Sequence, residues 1–305
     1  MDAHSMQSPS AAAARTGTAG IMVERAQGGQ PHKGKVFVAV HAHSQDVARY
    51  AGGLCAKLIL EGYTGYLVRT TNDEKSGGHT IAQNILNNEQ EHLKMAAVLG
   101  FKDVIDLYYR AHRMNEISPT EIRGRLILLL RMLKADTVIS FQPSAQGEED
   151  SDHEVTGRAV EEACDLAASE SDFQEHLEAG FAARAVAERY YLRTHPEQPF
   201  NHVVDIGPHV EKKIDAMVEC QSQGGGAKGA ELRATLARER KRLPLLGNDD
   251  RTANREYVRQ FLLDEHRDYG RRHNLQYAER FLYVDHRPPV KTKVDEYVAK
   301  NAVGI

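Results

Sequence analysis

A short apolar strand that runs directly into an amphipathic helix is the feature that most constrains the fold of this 305-residue chain. The run VFVAV (36–40) is β-branched and uninterrupted, which is typical of a strand buried on both faces of a parallel sheet. From Asp46, apolar residues recur at helical spacing as far as Gly62. YTGYLVR (63–69) then indicates a second strand, so these residues predict a βαβ unit.

The alternation of strand and helix continues along the chain. Strands are predicted near 103–107 and at 137–141. One helix is predicted over about 81–99, a second begins at the Ser118-Pro119-Thr120-Glu121 capping box, and a third begins near His153. Strands that alternate with helices indicate an α/β fold with a doubly wound, mostly parallel sheet flanked by helices, which is Rossmann-like. Such sheets bind ligands beyond the carboxyl ends of their strands.

The two ends of the chain are less regular. The first residues are rich in Ala, Gly, Ser and Gln and have no apolar signal-peptide core, so we expect a disordered tail over 1–33 and one α/β metalloenzyme domain over 34–305. Within this domain, 185–192 and 202–206 predict further strands. A Gly-rich joint followed by charged residues predicts a C-terminal helical insertion at about 224–276.

The composition excludes several classes of protein. A formal net charge of −4 provides no basic field for nucleic acid. No apolar run approaches the roughly 18 residues that span a bilayer, and three widely spaced cysteines do not suggest a disulfide framework. We therefore expect a cytoplasmic protein whose partner is a small polar molecule rather than a nucleic acid or a membrane, with a homo-oligomer as an open alternative to a monomer.

Three side chains that can bind a metal occupy predicted strand-to-helix turns. His43 and Asp46 lie between the first strand and its helix, and His153 follows the acidic loop after strand 137–141. Because parallel strands end at one edge of the sheet, we expect the three side chains to converge. Two imidazoles and one carboxylate leave coordination positions open, as in catalytic zinc sites. His and Asp are also common helix caps, so spacing alone leaves both interpretations open.

Several segments occur in the order typical of a known enzyme family. They are His43-Ser44-Gln45-Asp46, EQEHLKMAAVLG (89–100), LLRMLKADTVIS (129–140), DHEVTGRAVEEA (152–163), VVDI (203–206) and YAERF (277–281). On these segments, from about Lys35 to Phe281, the chain resembles the LmbE/PIG-L family of zinc-dependent N-deacetylases. The resemblance implies an LmbE-like fold and a Zn²⁺ ion, or another divalent metal, held by His43, Asp46 and His153.

The chain departs from the family pattern at two positions. Gln45 stands where the family has its general-base aspartate, and an amide cannot transfer a proton near neutral pH. Asp150 stands where the motif His-x-Asp-His begins with histidine. The resemblance thus leaves Asp150 or Glu74 as candidates for the proton transfer, and Gln45 as a hydrogen-bonding group. Asp152 is expected to orient a metal ligand or cap the helix.

Three functions fit this sequence. The leading hypothesis is a metal-dependent hydrolase, similar to a deacetylase or amidase, that cleaves an N-acyl or related C–N bond of a small polar substrate, with sugar-like compounds among the candidates. The second is a hydratase or lyase acting on a small unsaturated acid, because a branch of the family that resembles 4-oxalomesaconate hydratase also lacks the acid at the Gln45 position. The third is a non-catalytic metal- or ligand-binding protein. His202 and Tyr108 are possible pocket residues.

Overall fold

The computed structural model describes residues 20–144, 146–285 and 293–303. Within them, one eight-stranded sheet has the order β1-β7-β8-β6-β5-β2-β3-β4. The strands are β1 (Met22–Glu24), β2 (Val36–His41), β3 (Thr64–Thr71), β4 (Asp103–Tyr109), β5 (Thr137–Phe141), β6 (Glu188–Leu192), β7 (His202–Asp205) and β8 (Ala278–Asp285). Neighbouring strands are parallel, except that β8 lies antiparallel between β6 and β7.

The helices are α1 (Asp46–Leu60), α2 (Ile81–Leu99), α3 (Pro119–Leu133), α4 (Ser151–Leu166), α5 (Gln174–Glu178), α6 (Val210–Glu219), α7 (Lys228–Arg238), α8 (Asp250–Tyr257), α9 (Asp264–Arg272) and α10 (Lys293–Asn301). A π-helical segment, Val258–Leu262, follows α8. In the part of the chain that the structure describes, no helix combines the length and the hydropathy needed to span a lipid bilayer.

The central strand β2 contributes to two separate hydrophobic cores. Phe37 and Ala39 are buried with residues of α1, α2 and α6, whereas Val38 and Val40 are buried with residues of α3 and α4. Successive side chains of a strand point to opposite faces, so an uninterrupted apolar run needs a helical layer on each side. The predicted doubly wound, mostly parallel sheet is confirmed.

Residues 224–276 contain α7, α8 and α9, and they connect α6 to β8. After this helical insertion the chain re-enters the sheet, where β8 pairs with β6 on one side and with β7 on the other. The carboxyl edge of the sheet, where β2 and β5 lead into α1 and α4, is therefore formed by a segment of the chain that precedes the insertion.

Two local predictions are wrong. The predicted tail, 1–33, includes β1, which pairs in parallel with β7 through Met22–Glu24, and only its residues 1–19 lie outside the described residues. Three residues are too few for a pattern of alternating apolar and polar side chains to indicate a strand. The predicted capping box of α3 also does not form, because Ser118 makes no side-chain hydrogen bond to the helix. Pro119 at the first helical position starts α3 without it.

Candidate metal centre

The three predicted ligand side chains meet at the carboxyl edge of the sheet. His43 Nδ1 lies 3.2 Å from His153 Nε2, and Asp46 Oδ2 lies 3.6 Å from each of these nitrogens. The three side chains are almost completely buried. Zinc bonds of about 2.0–2.1 Å at a tetrahedral centre place neighbouring ligand atoms roughly 3.3 Å apart. The spacing of these three atoms fits a single small divalent cation.

The local fold explains why these side chains converge. His43 follows β2, and its backbone N–H donates to Asp46 Oδ2 at 2.7 Å in the first turn of α1. His153 lies in the first turn of α4, where its ring stacks on Phe141 at the end of β5, with 4.0 Å between ring centroids. Because β2 and β5 are adjacent and parallel, both turns reach the same edge. The predicted convergence of His43, Asp46 and His153 is thus observed.

Asp150 is a second carboxylate beside the two imidazoles. Its Oδ2 lies 3.9 Å from His43 Nε2 and 4.0 Å from His153 Nε2, so Asp150 can also complete a metal-binding group with these residues. Its Oδ1 accepts the backbone N–H of Asp152 and thereby caps α4. Asp46 is the closer carboxylate and the more deeply buried one, so we take Asp46 as the ligand and Asp150 as a neighbouring acid.

Each candidate ligand histidine has a carboxylate on its other ring nitrogen. Asp152 Oδ2 lies 3.3 Å from His43 Nε2, and Glu148 Oε2 lies 3.1 Å from His153 Nδ1. A carboxylate on one nitrogen holds the proton there and leaves the lone pair of the other nitrogen for a metal. His43 is therefore the histidine that Asp152 contacts, and the predicted orienting role of Asp152 would act on this ring. The sequence does not distinguish Glu148 from the other acids of its loop.

The carboxylates around the two imidazoles favour positive charge at this position. Burial lowers the pKa of His153, but the charge of Asp46 and the contacts with Asp46 and Glu148 raise it to about 9. Burial likewise opposes charge on His43, yet Asp152 and Asp46 raise its pKa well above the usual value. The cluster stabilises cations, which is the electrostatic requirement of a metal site.

Backbone amides hold Asp152 in place. Its Oδ2 accepts the N–H of His112 at 2.5 Å, and its Oδ1 accepts the N–H of Met114 at 3.3 Å. His112 has a φ of 60°, in the left-handed region that non-glycine residues seldom adopt. The turn after β4 thus presents two donors to the carboxylate that contacts His43, and the completely buried Asp152 has its charge compensated.

A pair of buried histidines supports the turn that carries His43. His41 Nδ1 lies 2.7 Å from the carbonyl oxygen of His43, to which it donates, and His41 Nε2 lies 3.1 Å from His92 Nε2. Burial lowers the pKa of His41 to about 4, so this ring is neutral near neutral pH. His92 then donates the proton between the two Nε2 atoms. The pair fixes the backbone of His43 without adding charge.

Gln45 lies between two candidate ligand residues in the sequence and makes no side-chain hydrogen bond to either of them. Its Nε2 donates to Gln223 Oε1 at 3.4 Å, and Gln223 in turn donates to Ser44 Oγ and to Asn88 Oδ1. The Oε1 atom of Gln45 is buried and accepts no hydrogen bond from any described residue. This oxygen can therefore accept a hydrogen bond from a bound molecule.

The other predicted residues lie outside this cluster. Arg110 donates to both carboxylate oxygens of Glu74, at 2.8 Å from Nη2 to Oε1 and 3.3 Å from Nε to Oε2, and this pairing lowers the pKa of Glu74. Tyr108 is exposed and its hydroxyl donates to Glu89. His202 lies in β7, where its Nε2 is 2.7 Å from Glu24 Oε2. Of the two acids considered for proton transfer, the structure brings only Asp150 to the histidines.

A cavity of about 520 Å³ adjoins the cluster. We call it the arginine cavity, and it is lined among others by Gln45, Arg49, Arg193, Thr194, His266 and Arg280. The candidate ligands do not line it themselves, but two wall residues connect it to them. Gln45 is the neighbour of Asp46 in sequence, and the Thr194 hydroxyl donates at 2.7 Å to Glu148, which contacts His153.

The sequence family is decided by the segment that contains all three candidate ligands. Residues 38–164 match the family described as PIG-L: GlcNAc-PI de-N-acetylase. This segment is a PIG-L family domain. The resemblance inferred from the motifs is thereby confirmed, and in the PIG-L domain His43, Asp46 and His153 lie at the junctions of β2 with α1 and of β5 with α4.

Solved structures extend the similarity to most of the chain. N,N'-diacetylchitobiose deacetylase from Pyrococcus horikoshii is 22% identical, with a TM-score of 0.65 over 84% of this chain and 87% of that chain. The 4-carboxy-2-hydroxymuconate hydratase GalB from Pseudomonas putida KT2440 is 20% identical, with a TM-score of 0.58 over 85% and 99%. At such identities these structures establish the shared fold. No curated protein sequence matches this chain.

Proposed function

We propose that the protein is a metal-dependent hydrolase that removes an acyl group from the nitrogen of a small polar substrate. The observation that carries the proposal is the triangle of His43 Nδ1, Asp46 Oδ2 and His153 Nε2, with edges of 3.2 and 3.6 Å. Two imidazole nitrogens and one carboxylate oxygen suit Zn²⁺, although other divalent metals accept the same ligands. The family description names a de-N-acetylase, which supports the reaction class.

A divalent ion held by these side chains would lower the pKa of a coordinated water towards about 7 and polarise a substrate carbonyl. The protein residues prepare the site for this ion. Asp152 and Glu148 lie 3.3 and 3.1 Å from the outer nitrogens of His43 and His153. With the metal bound, these carboxylates would keep the ring protons on the outer nitrogens and leave the lone pairs of the facing nitrogens for the ion. The burial of these side chains strengthens their electrostatic interactions.

We assign the proton transfer to Asp150. Its Oδ1 is occupied by the N–H of Asp152, but its Oδ2 faces both candidate ligand histidines and about a quarter of the side chain, 24%, is exposed. It can accept a proton from the attacking water and deliver it to the leaving amine. Gln45 cannot do this, and we assign its free Oε1 to a hydrogen bond with a hydroxyl or N–H of the substrate.

A hydratase is the second candidate. The observation that favours it is Gln45 itself, since an amide replaces the carboxylic acid that the family's hydrolases use as base, and hydration of a double bond releases no amine that must be protonated. The fold is shared with a hydratase as well as with a deacetylase. The metal, its water and Asp150 would serve either reaction, so the two reactions must be distinguished by comparing substrates.

The test compares two substrate classes on protein reconstituted with Zn²⁺. We expect free amine from N-acetylglucosamine or a related N-acetyl sugar, and loss of activity both with a chelator and in His153→Ala. Hydration of an unsaturated keto-acid without amine release would overturn the hydrolase in favour of the hydratase. Bound metal with neither reaction would overturn both and leave a binding protein.

Gln45→Asp separates the two reactions further. If the protein is a hydrolase that uses Asp150, a second acid at this position should change the amine release less than tenfold, and Asp150→Asn should lower it by about 10²–10⁴. A large gain in deacetylation by Gln45→Asp, with loss of hydration, would show that the natural protein performs the other reaction. Gln83→Asp on the exposed surface of α2 is the matched control.

A further inference from the structure

Two buried arginines in the arginine cavity share one exposed carboxylate. The side chains of Arg193 and Arg280 are each only 8% exposed, whereas that of Glu265 is 56% exposed. Arg280 Nη2 donates to Glu265 Oε1, and Arg193 Nη1 lies 3.7 Å from the same oxygen. Two guanidinium charges that have left bulk water are therefore balanced by a single carboxylate that remains largely hydrated.

One of these arginines has an unused donor. Arg280 Nη1 is buried and donates to no atom among the described residues, although the group stacks on Tyr269 with its Cζ 3.4 Å from the ring centroid. Arg193 differs, because its Nε and Nη2 donate to the carbonyl oxygens of Gln198 and Pro196. These carbonyls position Arg193 but do not neutralise it. A buried donor without an acceptor is costly, so the free Nη1 indicates a missing acceptor.

The remaining charges of the cavity do not supply this acceptor. Glu279 is neutralised by Lys213, whose Nζ lies 2.7 Å from Oε1, with both side chains completely buried. Arg49 is stacked on Tyr50 and forms no ion pair with any described residue. His266 borders the cavity, and burial together with the nearby cations lowers its pKa well below the usual value. Lys228 is paired with Glu231, and Asp264 is an exposed carboxylate that forms no ion pair with any described residue. Arg49, Arg193 and Arg280 therefore outnumber the carboxylates Asp264 and Glu265, and the walls carry excess positive charge.

We propose that the arginine cavity binds an oxyanion of the substrate, a carboxylate or a phosphate, between Arg193 and Arg280. Planar guanidinium groups match the oxygens of such anions, and buried arginines lose little entropy when they bind. The substrate class is then an anionic N-acyl compound. This assignment of the reacting end rests on the proposed function, whereas the anion site does not depend on it. Gln45 and Thr194 connect the anion site to the candidate ligands.

Direct binding of inorganic phosphate and of succinate to the full chain tests the anion site without any reaction. Both zinc-loaded and metal-free protein should be titrated. We expect saturable binding of one or both anions, weakened about tenfold or more in Arg193→Gln and in Arg280→Gln. The matched control is Arg125→Gln, because Arg125 is 51% exposed and paired with Glu121 on α3. Thermal unfolding verifies that each variant is folded.

Glu265→Gln provides a test in which binding should improve. Removal of the one carboxylate that partly neutralises both arginines should tighten anion binding several-fold, and an exposed side chain can be exchanged without unfolding the protein. Glu121→Gln, 47% exposed in its pair with Arg125, is the control and should change nothing. Absence of anion binding in the folded wild-type protein, or binding that is equal in all these variants, would overturn the proposal.

Kinetics then connect the anion site to the reaction. For a phosphorylated N-acetylglucosamine or for N-acetylmuramate, Arg280→Gln should raise KM about tenfold or more with little change in kcat, while the values for N-acetylglucosamine itself should not change. A stronger effect on one of the two charged compounds identifies phosphate or carboxylate as the preferred group. Anion binding without amine release would overturn the proposed hydrolase alone. Amine release without anion binding would overturn the anion site alone.

Discussion

Asp152 contacts the ring nitrogen of His43 that points away from the other candidate ligands. Its Oδ2 lies 3.3 Å from His43 Nε2, while His43 Nδ1 faces Asp46 and His153. The same oxygen is held by the backbone N–H of His112. When the His43 ring is neutral, as a metal ligand must be, this carboxylate favours the proton on Nε2 and leaves the lone pair of Nδ1 directed towards Asp46 and His153.

Asp152→Asn should lower the affinity for Zn²⁺ by about ten- to a hundredfold. The amide group can present its NH₂ to His43 Nε2, which moves the ring proton to Nδ1 and blocks the lone pair. Competition with a chromogenic chelator measures the affinity, and Glu154→Gln, an exposed acid on the same helix, is the control. Equal affinities in Asp152→Asn and the wild-type protein would mean that Asp152 serves only the fold.

Asp150→Asn should separate proton transfer from helix capping. Asparagine caps helices about as well as aspartate, so the midpoint of thermal unfolding should stay unchanged, while kcat should fall by about 10²–10⁴. Asp150→Ala should lose the same activity and, in addition, about 1 kcal/mol of unfolding free energy. Full kcat in the asparagine variant would leave Asp150 with the capping role alone.

Gly157→Ala should displace the helix that carries His153. A Cβ at this position would lie 2.9 Å from the carbonyl oxygen of Gln142 and 3.0 Å from that of Phe141. We expect a loss of about 1–3 kcal/mol in urea unfolding, accompanied by weaker zinc binding. Gly78→Ala is the control because an added Cβ would meet no atom within 4 Å. Unchanged stability would show that α4 and β5 can separate at no cost.

Glu24 should make the protein sensitive to acid. Burial opposes its charge, but the hydrogen bond with His202 and the charge of Lys57 lower the pKa of Glu24 to about 2. A carboxylate with a lowered folded-state pKa stabilises the protein above its unfolded-state pKa of about 4.3, and this contribution is lost as the pH falls towards about 2. Its size is at most about 3 kcal/mol.

Glu24→Gln should therefore destabilise the protein near neutral pH, and the difference from the wild-type protein should shrink as the pH is lowered. Urea unfolding at a series of pH values measures both quantities. Glu197→Gln removes an exposed acid and is the matched control. A constant difference at every pH would indicate lost packing around Glu24 rather than lost charge.

The sequence predicted those features that depend on local periodicity. The helix at 81–99 and the strand at 137–141 occur with the predicted bounds. Apolar periodicity and a glycine at the helix end are determined by residues that are close in sequence. The meeting of His43, Asp46 and His153 followed from one general property of parallel sheets. It needed no knowledge of side-chain contacts.

Other features depend on residues that are distant in sequence. Glu24 belongs to a three-residue strand that pairs with β7, and its carboxylate shares the completely buried Lys57 with Glu61. Glu148 differs from its acidic neighbours only through its contacts with Thr194 and His153, which the sequence does not show. The sequence around Arg280 is typical of a strand, and only the fold shows that the arginine side chain is buried. Burial of charged side chains is a tertiary property that composition does not reveal.

β8 enters the sheet from the helical insertion and pairs with a strand on each side, and its residues Ala278, Glu279 and Arg280 line the arginine cavity. A strand that pairs on both sides cannot change its register without breaking hydrogen bonds to two neighbours, so β8 holds these three residues in place. The covering helices precede it in the chain and contribute no candidate ligand. The arginines of the proposed anion site, Arg193 and Arg280, thus lie outside the segment 38–164 that contains the proposed metal ligands, so the two sites can change independently in sequence.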